Sequence, residues 1–429
     1  MLTRQELKFV GVTALGGLLE YYDFIIFALM AGYIAEAFFP GTDPNISLLS
    51  AFATFFVGYL SRPLGGLIFG HMGDCYGRKH TFAITVFIMA ISTTLIGFLP
   101  TYSQIGIWAP ILLITFRLLQ GLSIGGELSG GLTLISETTQ KHFGIAIGLL
   151  TLGVLSGQLL GYFINGLLLN FLSTEQVSEW GWRVPFWFGG SLGMLSYYIR
   201  RNLHESKLYI EIQKAKKQQK IPLITLVKYY KKQIVAGIFL ITPTAVCMSL
   251  LFLFTQSYLT QLLNYDAEEV TYSGFFGISC VILVCIFYGW VADYNLKNNR
   301  PLYLTISACI LVILSAYPLF SAYAVYHESA YLVALASSII YGFTVVMANY
   351  LLCNAFPVSI RYSGIAVAYN TGVAIFGGMA PIIAMAIINF TDDLTSPSLY
   401  MIFSGFVGLI GCYLVRNNRI EVTETAQSL

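Results

Sequence analysis

Gly16-Gly-Leu-Leu-Glu20-Tyr-Tyr-Asp23-Phe24 places two carboxylates in the middle of an apolar run that extends from Phe9 to Ala37. As an α-helix this run would be roughly 43 Å long, which exceeds the hydrocarbon core of a bilayer, about 30 Å thick. One ionised side chain at mid-membrane costs about 2.5–3.5 kcal/mol on insertion scales, so both acids should face a protein interior or a water-filled cavity.

Glu20 and Asp23 are three residues apart and therefore share one face of the helix. Two acids buried near one another repel when both are ionised, and this repulsion favours the binding of a proton. The stretch predicts a proton-loading site. The structural alternative is that the two acids only hold the first helix to its neighbours through hydrogen bonds.

The composition is typical of an integral membrane protein. Of the 429 residues, 56% are hydrophobic and 10% are charged, whereas soluble domains contain about 25% charged residues. The mean hydropathy is +0.72. We predict twelve apolar spans, at roughly 9–37, 46–71, 80–99, 106–135, 142–170, 182–201, 233–262, 270–292, 301–326, 329–356, 362–391 and 397–415.

The basic residues predict the orientation of these spans. Lys and Arg concentrate in the termini and in alternate loops, so by the positive-inside rule both termini are cytoplasmic. The lysine-rich segment 204–232 predicts a solvated linker along the inner leaflet rather than a nucleic-acid-binding site. It separates an N-terminal half, 1–203, from a C-terminal half, 233–429, an arrangement typical of transporters.

A short motif occurs at the end of the second helix of each half. Gly70-His-Met-Gly-Asp74-Cys-Tyr-Gly77-Arg78-Lys79 follows the second span, and Gly289-Trp-Val-Ala-Asp293 follows the eighth. Each copy joins an Asp at a cytoplasmic helix end to basic residues in a short loop. We expect such pairs to latch neighbouring helix ends in one conformation and to release them in another.

The first copy resembles the loop signature of the major facilitator superfamily, although Cys75 stands where that loop usually has a basic residue. Further stretches resemble the metabolite:H+ symporter family, which includes proline/betaine, shikimate, citrate and 2-oxoglutarate carriers. These are Leu19-Glu20-Tyr-Tyr-Asp23-Phe24, Phe38-Phe39-Pro40, Arg62-Pro63-Leu-Gly65-Gly66, Arg117-Leu-Leu-Gln120-Gly121, Gly125-Gly126-Glu127, Gly181-Trp182-Arg183-Val-Pro185-Phe186, Phe356-Pro357 with Arg361-Tyr362, and Tyr369-Asn370 with Gly377-Gly378.

The resemblance implies an all-α membrane protein in which twelve transmembrane helices form two pseudo-symmetric six-helix bundles, the major facilitator fold. It also implies a secondary active transporter that works by alternating access. We expect a monomer in the plasma membrane, the inner membrane in a bacterium, with a small-molecule substrate, protons and lipid as partners and with no cofactor, metal or nucleic acid.

Titratable groups inside the membrane are confined to the N-terminal half, because the predicted spans of the C-terminal half contain no Asp, Glu, Lys or Arg. In the family, positions that match the acids of the first helix and Arg117 of the fourth are linked to proton coupling. An arginine does not titrate, so Arg117 near an acid would hold that acid ionised until a proton or a substrate competes. We assign proton coupling to Glu20, Asp23, Arg117 and Glu127.

The remaining functional assignments concern the substrate and the gates. Substrate contacts are expected around a cavity between the halves, from Tyr21, Tyr22, Arg117, Gln158, Gln256, Asn349, Tyr369 and Asn370. Gating is assigned to Arg62, Asp74, Arg78, Lys79, Asp293 and Arg361. Tyrosine rings suit an ammonium group and an arginine suits a carboxylate, so a small zwitterion such as an amino acid or betaine would satisfy both.

Several alternatives remain open at this stage. The substrate could be an organic acid or a larger ligand such as a siderophore, and the transporter could be a proton-driven exporter. A membrane enzyme is disfavoured because the five histidines lie at span ends or in loops, where they assemble no nucleophile–base set.

Overall fold

The apolar runs fold as α-helices in the computed structural model of the chain, and the described residues contain no β-strand. The structure describes residues 4–41, 44–76, 78–125, 142–201, 229–294, 300–325, 330–356 and 361–427, together with positions 129, 132, 135 and 136. Within these ranges the side chains are described except at 4–9, 12, 13, 15, 16, 44, 45, 70–83, 199–201, 300, 325, 362 and 417–427.

Each predicted span corresponds to one helix or to one nearly continuous helical segment. The first six are α1 (Arg4–Leu29, continued by Ala31–Phe38), α2 (Pro44–Tyr76), α3 (Arg78–Phe98), α4 (Trp108–Ile124), α5 (Phe143–Phe171) and α6 (Val184–Arg201). The next six are α7 (Lys231–Leu262), α8 (Ala267–Tyr294), α9 (Arg300–Val325), α10 (Ala330–Cys353), α11 (Arg361–Gly372, Val373–Gly377 and Ala380–Thr391) and α12 (Pro397–Gln427).

Eight of the described helices are long and apolar enough to cross a membrane, and the bent pair within α1 makes a ninth. The apolar run from Phe9 to Ala37 is not one straight helix, because α1 bends by 63° between Leu29 and Ala31. Helices α3 and α4 carry shorter apolar segments, Ile84–Phe98 and Trp108–Ile124. Many large apolar side chains on the outer faces are exposed, as expected where lipid is the solvent.

The helices pack as two groups that meet along two seams. In the N-terminal half α1 packs on α5, α2 on α4 and α3 on α6; in the C-terminal half α7 packs on α12, α8 on α10 and α9 on α12. Between the halves, α5 lies along α8, and α2 lies along α11. Gly144 of α5 and Gly289 of α8 each face the backbone of the other, so the two helices approach without intervening side chains.

The two halves are joined by hydrogen bonds at both ends of the α5–α8 seam. At one end of the seam, where α5 begins and α8 ends, Asp293 of α8 accepts hydrogen bonds from the backbone N–H groups of Gly144 at 2.6 Å and Ile145 at 3.0 Å. At the opposite end, the Asn165 amide of α5 donates to the Thr271 hydroxyl at 2.8 Å. Because the seam is closed at both ends, this conformation is occluded.

Two long helices are locally wound as π-helix near the centre of the C-terminal half. The π segments are Ser249–Phe254 and Tyr258–Leu262 in α7 and Val373–Gly377 in α11. Such segments disturb the regular i→i−4 pairing and occur frequently at functional sites. Here the Phe252 carbonyl of α7 accepts a hydrogen bond from the Tyr162 hydroxyl of α5 at 3.0 Å.

Candidate functional site

Glycines position the two intramembrane arginines by drawing α2 and α4 together. A Cβ atom at Gly121 would overlap the Gly58 carbonyl and the Ser61 hydroxyl, and one at Gly125 would overlap the Arg62 carbonyl. The backbones of α2 and α4 therefore touch at these two levels. This close contact is why Arg62 of α2 and Arg117 of α4 both reach α1 from a buried position.

Asp23 lies in a buried polar cluster formed with Arg117, Thr93 and Gln120. Arg117 donates from its Nη1 atom to the Asp23 Oδ2 atom at 2.9 Å. The Thr93 hydroxyl and the Gln120 amide donate to the Asp23 Oδ1 atom at 2.9 and 2.8 Å. The Gln120 amide also donates to the Thr93 hydroxyl at 2.7 Å. All four side chains are buried, so the ionised Asp23 is stabilised by its protein partners rather than by water.

Glu20 forms a separate ion pair with Arg62. Among the described residues the Glu20 Oε2 atom and the Arg62 Nε atom have no hydrogen-bond partner. Both side chains are buried. From the sequence, Glu20 and Asp23 are predicted to repel each other within one site, and Arg62 is predicted to act in gating. The structure instead gives each acid its own arginine, and it places Arg62 at an ion pair inside the N-terminal half.

Aromatic rings cover both arginines. The Arg62 guanidinium lies over the rings of Phe24 and Tyr59, at 4.7 and 4.9 Å from their centroids. The Arg117 guanidinium lies over the ring of Phe27 at 3.7 Å. A desolvated cation over an aromatic face gains about 2 kcal/mol or more. The rings therefore stabilise the cations and also exclude water from the two ion pairs.

Arg117 keeps free hydrogen-bonding capacity despite its burial. Its Nε and Nη2 atoms have no partner among the described residues. The Gln120 Oε1 atom likewise has none. An arginine with unpaired N–H donors can bind a second carboxylate, and an amide oxygen can accept a proton-bearing hydroxyl.

Two small cavities lie on different sides of α1. The bundle cavity, about 10 Å³, lies within the N-terminal half and is bounded by Leu19, Asp23, Val86, Ala90, Thr93 and Gly193, among others. The interface cavity, about 20 Å³, lies between the halves and is bounded by Tyr21, Thr151, Tyr341, Val345, Asn349 and Tyr369, among others. Successive helical residues are about 100° apart, so Tyr21 and Asp23 project from opposite faces of α1.

Three of the predicted substrate residues line the interface cavity, namely Tyr21, Asn349 and Tyr369. Tyr341 also lines this cavity but is not among the predicted substrate residues, because no motif in the sequence distinguishes it among the 28 tyrosines of the chain. The Asn349 Oδ1 atom has no partner among the described residues. The cavity thus combines three tyrosine rings with one amide oxygen that can accept a hydrogen bond.

Other predicted substrate residues have different surroundings. The Tyr22 hydroxyl donates to the Pro185 carbonyl at 2.9 Å, so this ring lies inside the N-terminal half and does not face the interface cavity. Asn370 donates to the Gly125 carbonyl at 2.6 Å and joins α11 to α4. Gln256 donates to the Tyr162 hydroxyl at 2.8 Å, and the fully buried Gln158 lies one helical turn before Tyr162.

The predicted gating residues are only partly described. Asp293 caps the start of α5, as given above, and Arg361 donates to the Ser136 hydroxyl at 3.4 Å across the two halves. Asp74 lies at the end of α2, and Arg78 and Lys79 lie at the start of α3, but their side chains lie outside the described residues. Glu127 and residues 204–228 of the linker also lie outside the described residues.

The sequence analysis did not assign Thr93 and Gln120, the two neutral partners of Asp23. Ser92-Thr93-Thr94 is a run of three hydroxyls in the apolar stretch 86–98 of α3, and this run was the available signal. Gln120 follows Arg117 by three residues and therefore lies on the same face of α4. Within the described residues, no group of three or more His, Cys, Asp or Glu side chains could hold a metal ion.

Comparison with known proteins gives consistent matches over nearly the whole chain. The Major Facilitator Superfamily profile matches residues 13–381. A putative proline/betaine transporter of Staphylococcus haemolyticus is 33% identical over 94% of this chain and 86% of its own length. The proline/betaine transporter of Escherichia coli K12 is 32% identical over 94% of this chain and 82% of its own length.

Solved structures match at the level of the fold. The proton:xylose symporter XylE bound to 6-bromo-6-deoxy-D-glucose has a TM-score of 0.73 at 14% identity and covers 96% of this chain and 95% of its own. A partially occluded inward-open form of XylE from E. coli has a TM-score of 0.72 at 16% identity over 97% and 98% of the two chains.

Proposed function

Because this chain belongs to the major facilitator superfamily, whose members transport solutes, we propose that it imports a small zwitterionic metabolite together with protons by alternating access. Proline and betaine are the leading candidates, since relatives that are 33% and 32% identical to this chain are named as a putative proline/betaine transporter and a proline/betaine transporter. The observation that carries this proposal is the buried Asp23–Arg117 ion pair with its neutral partners Thr93 and Gln120.

The coupling rests on charge balance inside the membrane. When a proton neutralises Asp23, the Arg117 cation loses its counter-ion in a buried site, and an unpaired buried charge costs about 3–5 kcal/mol. Arg117 does not border the interface cavity in this conformation, so the carboxylate of a substrate would reach its free Nε and Nη2 donors only after the halves move apart, and this contact would lower the cost. Protonation of Asp23 and binding of an anionic group by Arg117 therefore favour each other.

The protonated Asp23 would still be hydrogen-bonded. Thr93 can act as donor or acceptor, and the Gln120 amide offers an unpaired oxygen to the new O–H group. The cluster can therefore hydrogen-bond the Asp23 carboxyl group in either protonation state. This property is what a site that gains and loses a proton in every cycle requires.

The interface cavity supports an ammonium-bearing substrate. Tyr21, Tyr341 and Tyr369 supply ring faces, which attract a quaternary or secondary ammonium by cation–π interaction. Asn349 adds a hydrogen-bond acceptor. At about 20 Å³ in the occluded conformation, the cavity has room for one water, so the halves must separate to admit or release a metabolite.

Opening would break one set of contacts between the halves at a time. Opening toward the cytoplasm releases Asp293 from Gly144 and Ile145, and Arg361 from Ser136. Opening toward the other side releases Asn165 from Thr271 and Asn170 from Tyr272. We extend the gating role to the motif residues Asp74, Arg78 and Lys79.

The proposal includes an arrangement in the membrane. We propose that residues 1–203 and 233–429 are the two rocking halves, that 204–232 is a cytoplasmic linker, and that both termini are cytoplasmic. The basic residues of alternate loops support this orientation. We further propose a monomer in the plasma membrane, which would be the inner membrane of a Gram-negative cell.

Uptake into proteoliposomes tests this function directly. Wild-type protein should accumulate labelled proline or betaine when a proton gradient is imposed, and Asp23→Asn should lose this accumulation while still exchanging substrate in counterflow. Asp392→Asn is a matched control, because this exposed loop residue has a left-handed backbone that asparagine tolerates. Uphill accumulation by Asp23→Asn would exclude Asp23 as the coupling residue.

A further inference from the structure

The bundle cavity, which contacts the proton-binding Asp23, and the interface cavity lie on opposite faces of α1. Asp23 and Thr93 border this cavity, whereas the interface cavity is bordered by Tyr21 on the opposite face of α1. Neither Asp23 nor Arg117 borders the interface cavity. In the occluded conformation a proton that leaves Asp23 therefore meets the interior of the N-terminal half before it meets the substrate.

From Asp23 the bundle cavity extends toward the side of the bundle at which the chain begins. Leu19 precedes Asp23 by one turn on α1, Val86 and Ala90 precede Thr93 on α3, and Gly193 is in the second half of α6. Because consecutive helices alternate in direction, the first half of α1, the first half of α3 and the second half of α6 lie at one side. That side is the one assigned to the cytoplasm.

The volume of the cavity suits a single water, and its lining is largely apolar apart from one polar wall. Its volume of about 10 Å³ is close to the minimum that one water requires. Asp23 and the Thr93 hydroxyl supply polar groups on one wall, and Val86, Ala90 and Gly193 supply apolar walls. Such a water would contact the carboxyl group directly and would have no other ionisable partner among the described lining residues apart from Tyr22.

The charged groups around Asp23 are few. Arg117 of α4 pairs with it directly, and Glu20 lies one turn away on α1, paired with Arg62 of α2. Tyr22 is adjacent on α1, and its hydroxyl is held by the Pro185 carbonyl. The described residues of α3 and α6 that border the cavity carry no charge. A proton in the cavity is therefore directed by the Asp23–Arg117 pair alone.

We propose that the bundle cavity is the route by which the proton passes from Asp23 to the cytoplasm, apart from the route of the substrate. The O–H bond of the protonated carboxyl group breaks, the proton binds a lone pair of the water in the cavity, and the resulting hydronium passes it to the cytoplasm. The carboxylate left behind restores its ion pair with Arg117. This proposal rests on the proposed function and adds a path to it.

One substitution made in each cavity tests the proposal. Val86→Leu adds a methylene to the wall of the bundle cavity, and Val345→Leu adds the same group to the wall of the interface cavity. Val86→Leu should lower the initial rate of proton-driven uptake severalfold, together with the proton flux reported by a pH dye trapped in the liposomes. Its counterflow should equal that of the wild type. Val345→Leu should instead weaken proton-driven uptake and counterflow alike.

A second variant makes the test independent of overpacking. Val86→Ser enlarges the cavity and adds a hydroxyl, so proton-driven uptake should be at least as fast as in the wild type. Equal effects of Val86→Leu on uptake and counterflow, or wild-type proton flux in Val86→Leu, would overturn the proposed route. If the wild type itself shows no proton-dependent uptake, the proposed function fails instead, and the outcomes are thereby distinguished.

Discussion

The two buried ion pairs of the N-terminal half have the same charges but different surroundings. Asp23 accepts hydrogen bonds from Arg117, Thr93 and Gln120 and borders the bundle cavity. Glu20 is paired with Arg62, which is covered by aromatic rings, and it borders neither of the two cavities described above. One pair has neutral partners and room for water, and the other has neither.

This difference indicates which pair exchanges protons. A proton can reach Asp23, and after it arrives Thr93 and Gln120 can still satisfy the carboxyl group. A proton on either acid leaves its arginine without a counter-ion, but at Glu20 no neutral partner among the described residues hydrogen-bonds the carboxyl group. We therefore propose that the Asp23–Arg117 pair couples transport to protons and that the Glu20–Arg62 pair joins α1 to α2. The sequence-based prediction assigned both acids to coupling, and this proposal keeps only Asp23 in that role.

The largest expected effect comes from breaking and then replacing each pair. Removing one partner, as in Arg62→Met or Arg117→Met, should destabilise the protein by about 3–5 kcal/mol, because it leaves a buried charge unpaired. Replacing both partners with apolar residues should recover most of that loss. Thermal unfolding of the purified single and double variants measures both effects.

Transport then distinguishes the two pairs. The double variant Glu20→Leu with Arg62→Met should keep proton-driven accumulation, whereas Asp23→Leu with Arg117→Met should fold but lose it. If the first double variant is uncoupled and the second is coupled, the assignment of the two pairs is reversed.

The next largest effect concerns the neutral partner of Asp23. Gln120→Leu removes a hydrogen bond to a charged group, which contributes about 1.5–3 kcal/mol, and it also removes the acceptor for the protonated state. Proton-driven uptake should fall roughly tenfold or more at the low end of this range, with a smaller loss in counterflow. Equal losses in the two assays would indicate that Gln120 only supports the structure.

The smallest expected effect lies outside both pairs. Tyr369→Leu removes one ring from the interface cavity, and the loss of a cation–π contact of about 0.5–2 kcal/mol should raise the KM for betaine. Tyr369→Phe keeps the ring and is the matched control. The ratio of protons to substrate should stay unchanged in both variants, and a changed ratio would connect the interface cavity directly to proton coupling.

Much of the fold could be predicted because apolar length and the absence of charge identify a membrane helix with little dependence on tertiary context. The pairing of Arg117 with an acid of α1 was predicted from the family resemblance and from the attraction of buried opposite charges, which left open whether that acid is Glu20 or Asp23. The pairing of Glu20 with Arg62 could not be predicted, because spacing along α1 shows that two acids share a face but not which helix covers each one.

The contacts between the halves were harder to predict for a related reason. Asn370 has the polar side chain expected of a substrate ligand, but its amide donates a hydrogen bond to the Gly125 carbonyl between the halves. Similarly, the Tyr22 hydroxyl donates a hydrogen bond to the Pro185 carbonyl within one half. Which polar group meets which carbonyl depends on helix rotation and on close glycine contacts such as Gly58 with Gly121. Sequence periodicity does not predict helix rotation or glycine contacts accurately enough to identify individual hydrogen-bond partners.

Proton uptake on substrate binding, measured with purified protein in weakly buffered solution, tests the central claim most directly. The wild type and the Glu20→Leu with Arg62→Met variant should take up protons from solution when proline or betaine is added, and Asp23→Asn should bind the substrate without proton uptake. Undiminished proton uptake by Asp23→Asn would contradict the account.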